Sequence, residues 1–247
     1  KEDIPNLYQI TMNRIKLSGG RVRGIFWYQG CAEANPTGVE LFTGRMQRLI
    51  AAFREALGEP ELPFVQVQIG RFSNAAIADD PHWSAIRELQ RQMTDADYAD
   101  GIHLQARYHQ RLGKAAAESM ARLCFDKQGL KTLPAPALSD IRIIHGSDDW
   151  GENLAVHYRN IHGGLQSPGV PSGFALSRSP DHIDTRSIFR LELGEDTVFV
   201  RHECPDEQLK EMYLSYFFGN GTYANITDAA GRPLPAFGPL KLSDWLK

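Results

Sequence analysis

Val22-Arg23-Gly24-Ile25-Phe26-Trp27-Tyr28-Gln29-Gly30 is an apolar run that stops at a side-chain amide and a glycine. It reads as a strand from Val22 to Tyr28 that enters a turn, with the Gln29 amide as the first polar group beyond it. Its flanks decide the fold class. Upstream, Leu7 to Leu17 carries Leu7, Ile10, Met12 and Ile15 at helical spacing, and Ser18-Gly19-Gly20 ends that helix because glycine readily takes the left-handed conformation that closes one. Downstream, after a loop containing Asn35-Pro36-Thr37-Gly38, Val39 to Leu57 predicts a long amphipathic helix with Leu41, Met46, Leu49, Ile50, Phe53 and Leu57 on its apolar side, stopped by Gly58 and Pro60. Pro63 to Ile69 predicts a second buried strand and Pro81 to Met93 a third helix with proline near its first turn. A further helix is expected from Gln105 to Cys124. Strands separated by helices imply an α/β fold with a parallel sheet covered on both faces.

The texture changes from about Thr132. Pro134 and Pro136 mark a linker, and beyond it short β-rich runs, Asp140 to His145, Ser187 to Leu193, Thr197 to His202 and Met212 to Phe218, are separated by Gly, Pro, Asn and Asp turns. The expected organisation is an α/β domain over 1–131 and a smaller β-rich C-terminal domain over 132–247.

Composition narrows the function classes. The chain has 247 residues, 42% of them hydrophobic and 23% charged, a balance that suits a globular fold of one large domain or two smaller ones. With 27 basic against 30 acidic residues, the formal charge of -3 supplies no electrostatic footprint for nucleic acid or an anionic membrane, which leaves a small or neutral molecule as the expected partner. Cys31, Cys124 and Cys204 are widely spaced, so neither a disulfide scaffold nor a zinc cluster is expected. His145, His157, His162 and His182 lack metal-ligand spacing and read as scattered surface histidines. No apolar run approaches the roughly 20 residues that span a bilayer. Lys1 to Ile10 has neither the basic start nor the apolar core of a signal peptide and reads as the interior of a domain.

Asp100-Gly101-Ile102-His103 places a carboxylate and an imidazole just before the helix that follows. At this spacing the carboxylate can hydrogen-bond the imidazole and fix its tautomer while the other ring nitrogen faces a substrate. Taken alone, the motif is weak, and a solvated loop aspartate with a capping histidine is the commoner reading. Its position at the expected carboxyl edge of the sheet, where open α/β folds bind ligands, favours the functional reading. Gln29 likewise either satisfies loop backbone groups or donates to a developing oxyanion. Base, orienting acid and candidate oxyanion donor are therefore present, without an obvious serine nucleophile. Ser18, at a helix-to-strand turn, reads as a turn residue.

Gly24-Ile25-Phe26-Trp27-Tyr28-Gln29-Gly30, the helix Leu41 to Leu57, the strand around Phe64 to Ile69 and Asp100-Gly101-Ile102-His103-Leu104 resemble, in this order, the sialate O-acetylesterase family of the SGNH hydrolase superfamily. Tyr223-Ala224-Asn225-Ile226 and Gly231-Arg232-Pro233-Leu234-Pro235-Ala236-Phe237 also look like the family's C-terminal β region, so the resemblance runs over essentially the whole chain. It implies a carbohydrate esterase with an SGNH-type three-layer α/β/α parallel sheet, incomplete at its N-terminal side, followed by the β-rich domain. Carried over, His103 is the general base, Asp100 its orienting carboxylate, Gln29 a donor to the oxyanion hole and Gly30 the residue that allows the turn aiming Gln29. The implied reaction is serine attack on an acetyl ester of a sugar hydroxyl, with no metal or organic cofactor. The substrate class implies an extracytoplasmic setting: periplasmic, secreted or lysosomal.

Three departures from the family pattern shape the expectations. The Gly-Gln-Ser-Asn type block that carries the family's nucleophile and the glycine donor block after it do not occur here. Cys31 stands where many relatives have glutamate and reads as a buried, unreactive thiol, with Glu33 nearby as another carboxylate. The interval Met93 to Asp100 is too short for the usual helix end, loop and buried strand, which predicts a trimmed sheet or missing residues. Two readings follow. In one, the chain is the C-terminal part of an acetylesterase whose serine comes from an N-terminal segment or a companion chain. In the other, it is a noncatalytic carbohydrate-binding or structural relative that has lost the nucleophile half. Both predict a partner, because a parallel sheet missing its first strands exposes apolar surface and unpaired edges.

Overall fold

The computed structural model describes residues 6–70, 80–93, 97–99, 106–125, 132–145, 152–183, 187–219 and 222–246. The elements run α1 (Leu7–Leu17), β1 (Ile25–Trp27), α2 (Pro36–Leu57), β2 (Phe64–Val67), α3 (Pro81–Gln92), β3 (Asp97–Ala99) and α4 (Ala106–Phe125). The remainder is β4 (Ala137–His145), β5 (Glu152–Arg159), β6 (Leu165–Gln166), β7 (Phe174–Ser177), β8 (Ile188–Leu193), β9 (Thr197–His202), the single turn α5 (Asp206–Leu209), β10 (Tyr213–Tyr216), β11 (Thr227–Asp228) and β12 (Phe237–Lys241).

Among the described residues, β1, β2 and β3 form one parallel sheet in that order, with Trp27 opposite Gln66 and Val67 opposite Ala99. β2 is wholly buried. Side chains that alternate along it enter two cores, as the two-residue strand period requires. Phe64 joins Phe42, Met46, Ile50 and Phe53 of α2, with Ile25 and Trp27 packed against them. Val65 and Val67 meet Leu112 and Ala116 of α4, with Tyr28 alongside.

Several sequence expectations need correction. β1 covers three residues rather than seven; pairing begins at Ile25, whose N–H donates to Pro63 O at 2.8 Å, and Phe26 is exposed. α2 starts at Pro36, three residues early, because Asn35 caps it by accepting from Gly38 N–H at 2.9 Å while Pro36 takes a first-turn position that needs no donor. Its buried face is Gly38, Phe42, Met46, Ile50 and Phe53, whereas Leu41 points to solvent. The interval before Asp100 needs no correction: it holds the three-residue strand β3, which fits the expected trimmed sheet. α1 matches its expected bounds but buries none of its residues fully.

The β-rich part contains more strands than the sequence pattern showed. A four-stranded antiparallel sheet (β4-β5-β9-β8) faces a three-stranded one (β12-β10-β7), with β6 and β11 paired separately. One core joins them: Ile141, Leu154, Val156, Val198 and Val200 from the first sheet meet Leu176, Leu214, Tyr216 and Phe237 from the second. Buried Asp228 receives Arg232 Nε at 2.9 Å, and the same guanidinium reaches Pro134 O and so fastens the proline linker.

Buried polar side chains tie this part to the α/β sheet. Gln68 Nε2 donates to Ala236 O at 2.9 Å and its Oε1 accepts from Ala236 N–H at 3.1 Å. Gly219 N–H donates to Ser84 Oγ at 2.6 Å, and Gly238 N–H to Glu88 Oε2 at 3.0 Å. Burial would raise the Glu88 carboxyl, but hydrogen bonds and charge from Arg91, with the Gly238 N–H, hold it below its ordinary value.

Candidate active site

The carboxyl ends of β1, β2 and β3 lie at one edge of the sheet, because the strands are parallel and nearly in register. Such an edge collects loops that need not continue a ladder, and their side chains are free for chemistry. Tyr28 leaves β1 and its hydroxyl accepts from Gly70 N–H at 3.3 Å, bridging the ends of the first two strands. Burial pushes that hydroxyl's pKa up, with the Gly70 bond and the Arg87 charge pulling the other way.

Gln29 and Gly30 follow. Gly30 is buried with φ 146°, a conformation side-chain-bearing residues rarely adopt, and a Cβ there would sit 3.0 Å from Gln90 Nε2 and Ile69 Cγ2. The backbone of Gln29 is held by Gln90, whose Nε2 donates to Gln29 O at 3.0 Å while its Oε1 accepts from Ile69 N–H at 2.9 Å. One buried amide thereby fixes the spacing of the two strand ends. The Gln29 side chain donates through Nε2 to the Glu33 carboxylate, which the short 3-10 turn Cys31–Glu33 brings back toward it. Glu33 thus engages the amide that an oxyanion hole would use.

Arg87 lies behind these loops, buried, and donates to four carbonyls among the described residues: Nε to Ile69 O at 2.8 Å, NH2 to Gly70 O at 2.9 Å, and NH1 to Phe217 O at 2.7 Å and Gly219 O at 2.5 Å. It also stacks over the Phe217 ring, 4.1 Å from the centroid. Trp83 Nε1 adds a bond to Gly70 O at 2.8 Å. A fixed positive charge therefore stands close to the strand ends.

Cys31 is exposed, a correction to its expected burial: it lies on a one-turn helix outside the sheet rather than in the strand's packed register. Desolvation nonetheless raises its pKa, outweighing the opposing pull of the Arg87 guanidinium, so the thiol is not activated. Ser18 caps the C-terminus of α1, as expected for a turn residue.

Asp100 and His103 lie outside the described residues, as do Gly101 and Ile102; Ala99, the residue before Asp100 in sequence, ends β3. A carboxylate–imidazole pair that sequence reading missed stands at the start of α3, where Asp80 Oδ1 meets His82 Nδ1 at 2.9 Å and also accepts from the His82 backbone N–H. It is an N-cap with a histidine two residues on. Sequence reading also missed Arg87 and Gln90. Both are polar residues of an amphipathic helix, and their one available signal was Gln66 and Gln68 inside an otherwise apolar strand, which require buried polar company. Among the described residues no group of three or more His, Cys, Asp or Glu is placed to hold a metal ion, and no helix is long and apolar enough to cross a membrane.

Comparison with known proteins agrees with this architecture. Residues 1–122 match the family model described as carbohydrate esterase, sialic acid-specific acetylesterase. The mixed α/β fold with several sheets is similar to that of a carbohydrate acetylesterase from Xanthomonas citri, with a TM-score of 0.67 and 19% identity over 88% of this chain and 50% of the other. The chain thus spans about half the length of that solved relative. No curated protein matches it. The likeness to the carbohydrate esterase, sialic acid-specific acetylesterase family therefore rests on residues 1–122, just under half of the chain.

Proposed function

We propose that the chain is part of a carbohydrate O-acetylesterase of the sialate O-acetylesterase type, a serine hydrolase that removes acetyl esters from sugar hydroxyls. His103 is the general base, Asp100 orients it, and Gln29 with Gly30 forms part of the oxyanion hole. The nucleophilic serine comes from an N-terminal segment or a companion chain. Residues 1–131 are then the C-terminal part of an SGNH-type three-layer α/β/α domain, 132–247 form a β-rich domain attached to it, and the setting is extracytoplasmic.

One observation carries this reading. Three parallel strands end at a common edge, and in the sequence Gln29 follows the end of β1 at Trp27 by two residues while Asp100 is the residue after Ala99, where β3 ends. In the reaction, the His103 imidazole takes the serine proton as the hydroxyl attacks the acetyl carbonyl. The oxyanion draws on the second N–H of the Gln29 amide, since the Glu33 carboxylate occupies the first. Collapse releases the sugar alcohol, protonated by the same imidazole, and water activated by His103 then hydrolyses the acetyl-enzyme.

The Gln29–Glu33 bond also favours a second reading. An amide engaged by a neighbouring carboxylate suits a structural turn, and so a noncatalytic carbohydrate-binding relative. Intact-mass analysis of the protein from its native source, paired with acetate release from a chromogenic acetyl ester, separates the two. Esterase activity in a preparation containing a serine-bearing polypeptide supports the first; a chain that is alone, folded and inactive establishes the second.

A further inference from the structure

The β-rich part carries a groove of about 540 Å³ that the chemistry above does not use. Every residue lining it belongs to that part: to the strand β4, to Asp206 and Lys210 at the turn α5, or to Trp245 and Leu246 beyond β12. β4 is an outer strand of its sheet, pairing among the described residues with β5 alone. The apolar lining, Ile141, Ile143, Trp245 and Leu246, also packs on the sandwich core. Trp245 is only half-buried, so part of its surface stays available to a ligand.

The polar lining holds unused hydrogen-bonding capacity. Asp140 Oδ2 accepts from Arg142 Nε at 2.6 Å, and the terminal nitrogens of that guanidinium have no partner among the described residues. Asp206 Oδ2 lies 3.7 Å from His145 Nε2, beyond hydrogen-bond reach, and Asp206 Oδ1 is buried without a partner among the described residues. Buried polar atoms are nearly always paired, so this carboxylate lacks a donor. The Lys210 ammonium makes no ion pair among the described residues.

Charge and backbone select the occupant. With His145 neutral, Arg142 and Lys210 balance Asp140 and Asp206, which leaves no surplus charge for an anion or a cation. Strand addition is blunted, because Asp140 Oδ1 already takes the Ile141 N–H at 2.9 Å and the register shifts between Leu138 and Asp140. The fitting ligand is neutral, donates hydroxyls to carboxylates, accepts from a guanidinium and an ammonium, and lays an apolar C–H face on an indole. A pyranose does all of these. We infer that the groove is a binding site for a neutral sugar, built into the β-rich part and standing whether or not His103 acts on an ester.

Methyl β-D-glucopyranoside and methyl β-D-xylopyranoside, titrated into the isotope-labelled full chain with amide shifts followed by NMR, test this. At least one should move the amides of Ile141, Ile143, Lys210 and Trp245 with a millimolar Kd. D-Glucuronate, repelled by two carboxylates, should bind about tenfold more weakly or worse. Arg142→Gln, at an exposed side chain, and Asp206→Asn should keep the parent melting curve and each weaken binding about tenfold or more, the loss expected for a charged hydrogen bond. Shifts absent with both glycosides, shifts confined to other residues, glucuronate bound as tightly as the glycosides, or unchanged affinity in either variant overturns the inference. Retardation of the chain by xylan or hydroxyethylcellulose in a native gel, lost in Arg142→Gln, identifies a polysaccharide as the source; glycoside binding without retardation identifies a free sugar. Acetate release does not enter these readings, so their failure leaves the proposed esterase untouched, and loss of the esterase leaves the groove standing.

Discussion

Replacing Arg87 with methionine removes the buried cation that joins the carboxyl end of β2 to the β-rich part. Four carbonyls, of Ile69, Gly70, Phe217 and Gly219, lose a charged donor at 2.5–2.9 Å, and the Phe217 ring loses its stacked guanidinium. A hydrogen bond to a charged group contributes about 1.5–3 kcal/mol. Against these bonds stands the desolvation of the guanidinium, which costs several kcal/mol and which the methionine variant escapes. Methionine fills similar volume and supplies no donor, so the carbonyls of Ile69, Phe217 and Gly219 lose theirs, while Gly70 O keeps its bond from Trp83 Nε1. The net loss should resemble that of breaking other buried charged contacts, about 3–5 kcal/mol. For a chain of this size each kcal/mol lowers Tm by about 2–4 °C, which places the variant roughly 6–20 °C below the parent. Thermal unfolding followed by circular dichroism, with urea titration as a check, reads this directly. A Tm within about 3 °C of the parent would refute the assignment of Arg87 as the tie between the two parts.

Gly30→Ala should lower stability by about 1–3 kcal/mol, because the backbone at φ 146° is strained for any side chain and the new methyl meets Gln90 Nε2, Ile69 Cγ2 and Ile86 Cγ2 at 3.0–3.1 Å; an unchanged Tm would show that the turn relaxes freely. Asn35→Ala should cost about 1 kcal/mol by leaving Gly38 N–H without its cap, as read by urea unfolding. Burial holds the His202 imidazole below its ordinary pKa, with the Cys204 backbone and the Asp206 charge pulling it back up. The unfolded chain therefore binds the proton first, and His202 makes stability fall as pH drops below about 6.5. Unfolding titrations from pH 8 to 5 should show that decline, and His202→Asn should flatten it; an identical slope in the variant would assign the decline to other groups.

The sequence announces the α/β part well wherever a periodic apolar face or a breaker marks an element. α1 ends where its glycines stand, α2 ends at Gly58 in the left-handed conformation, and β2 is buried throughout. Errors gathered where tertiary contacts override pattern. β1 is shorter than its apolar run because only Ile25–Trp27 finds a partner strand. Pro36 looks like a loop residue, yet a capping asparagine before it makes it a first-turn residue. β3 is three residues long and has no pattern to detect. In the β-rich part, Glu152–Arg159 mixes His and Asn with apolar residues, and β7 and β12 are short and rich in small residues, so neither alternation nor length marked them. Gln29 and Gly30 were legible because a strand ended on them. Ser84, Arg87 and Gln90 were not, since a polar helix residue reads as solvent-facing, and only the packing of α3 beneath the strand ends and β12 reveals them as buried.

The proposed function rests on His103 acting as the base toward an acetyl ester. Its most direct test is the rate of acetate release from an acetylated sugar by the protein from its native source, parent against His103→Ala, with both shown to be folded by their melting curves. Loss of a triad histidine should lower kcat by roughly ten-thousand-fold or more. Acetate release within tenfold of the parent would contradict the account and take both the base and the carried-over site with it.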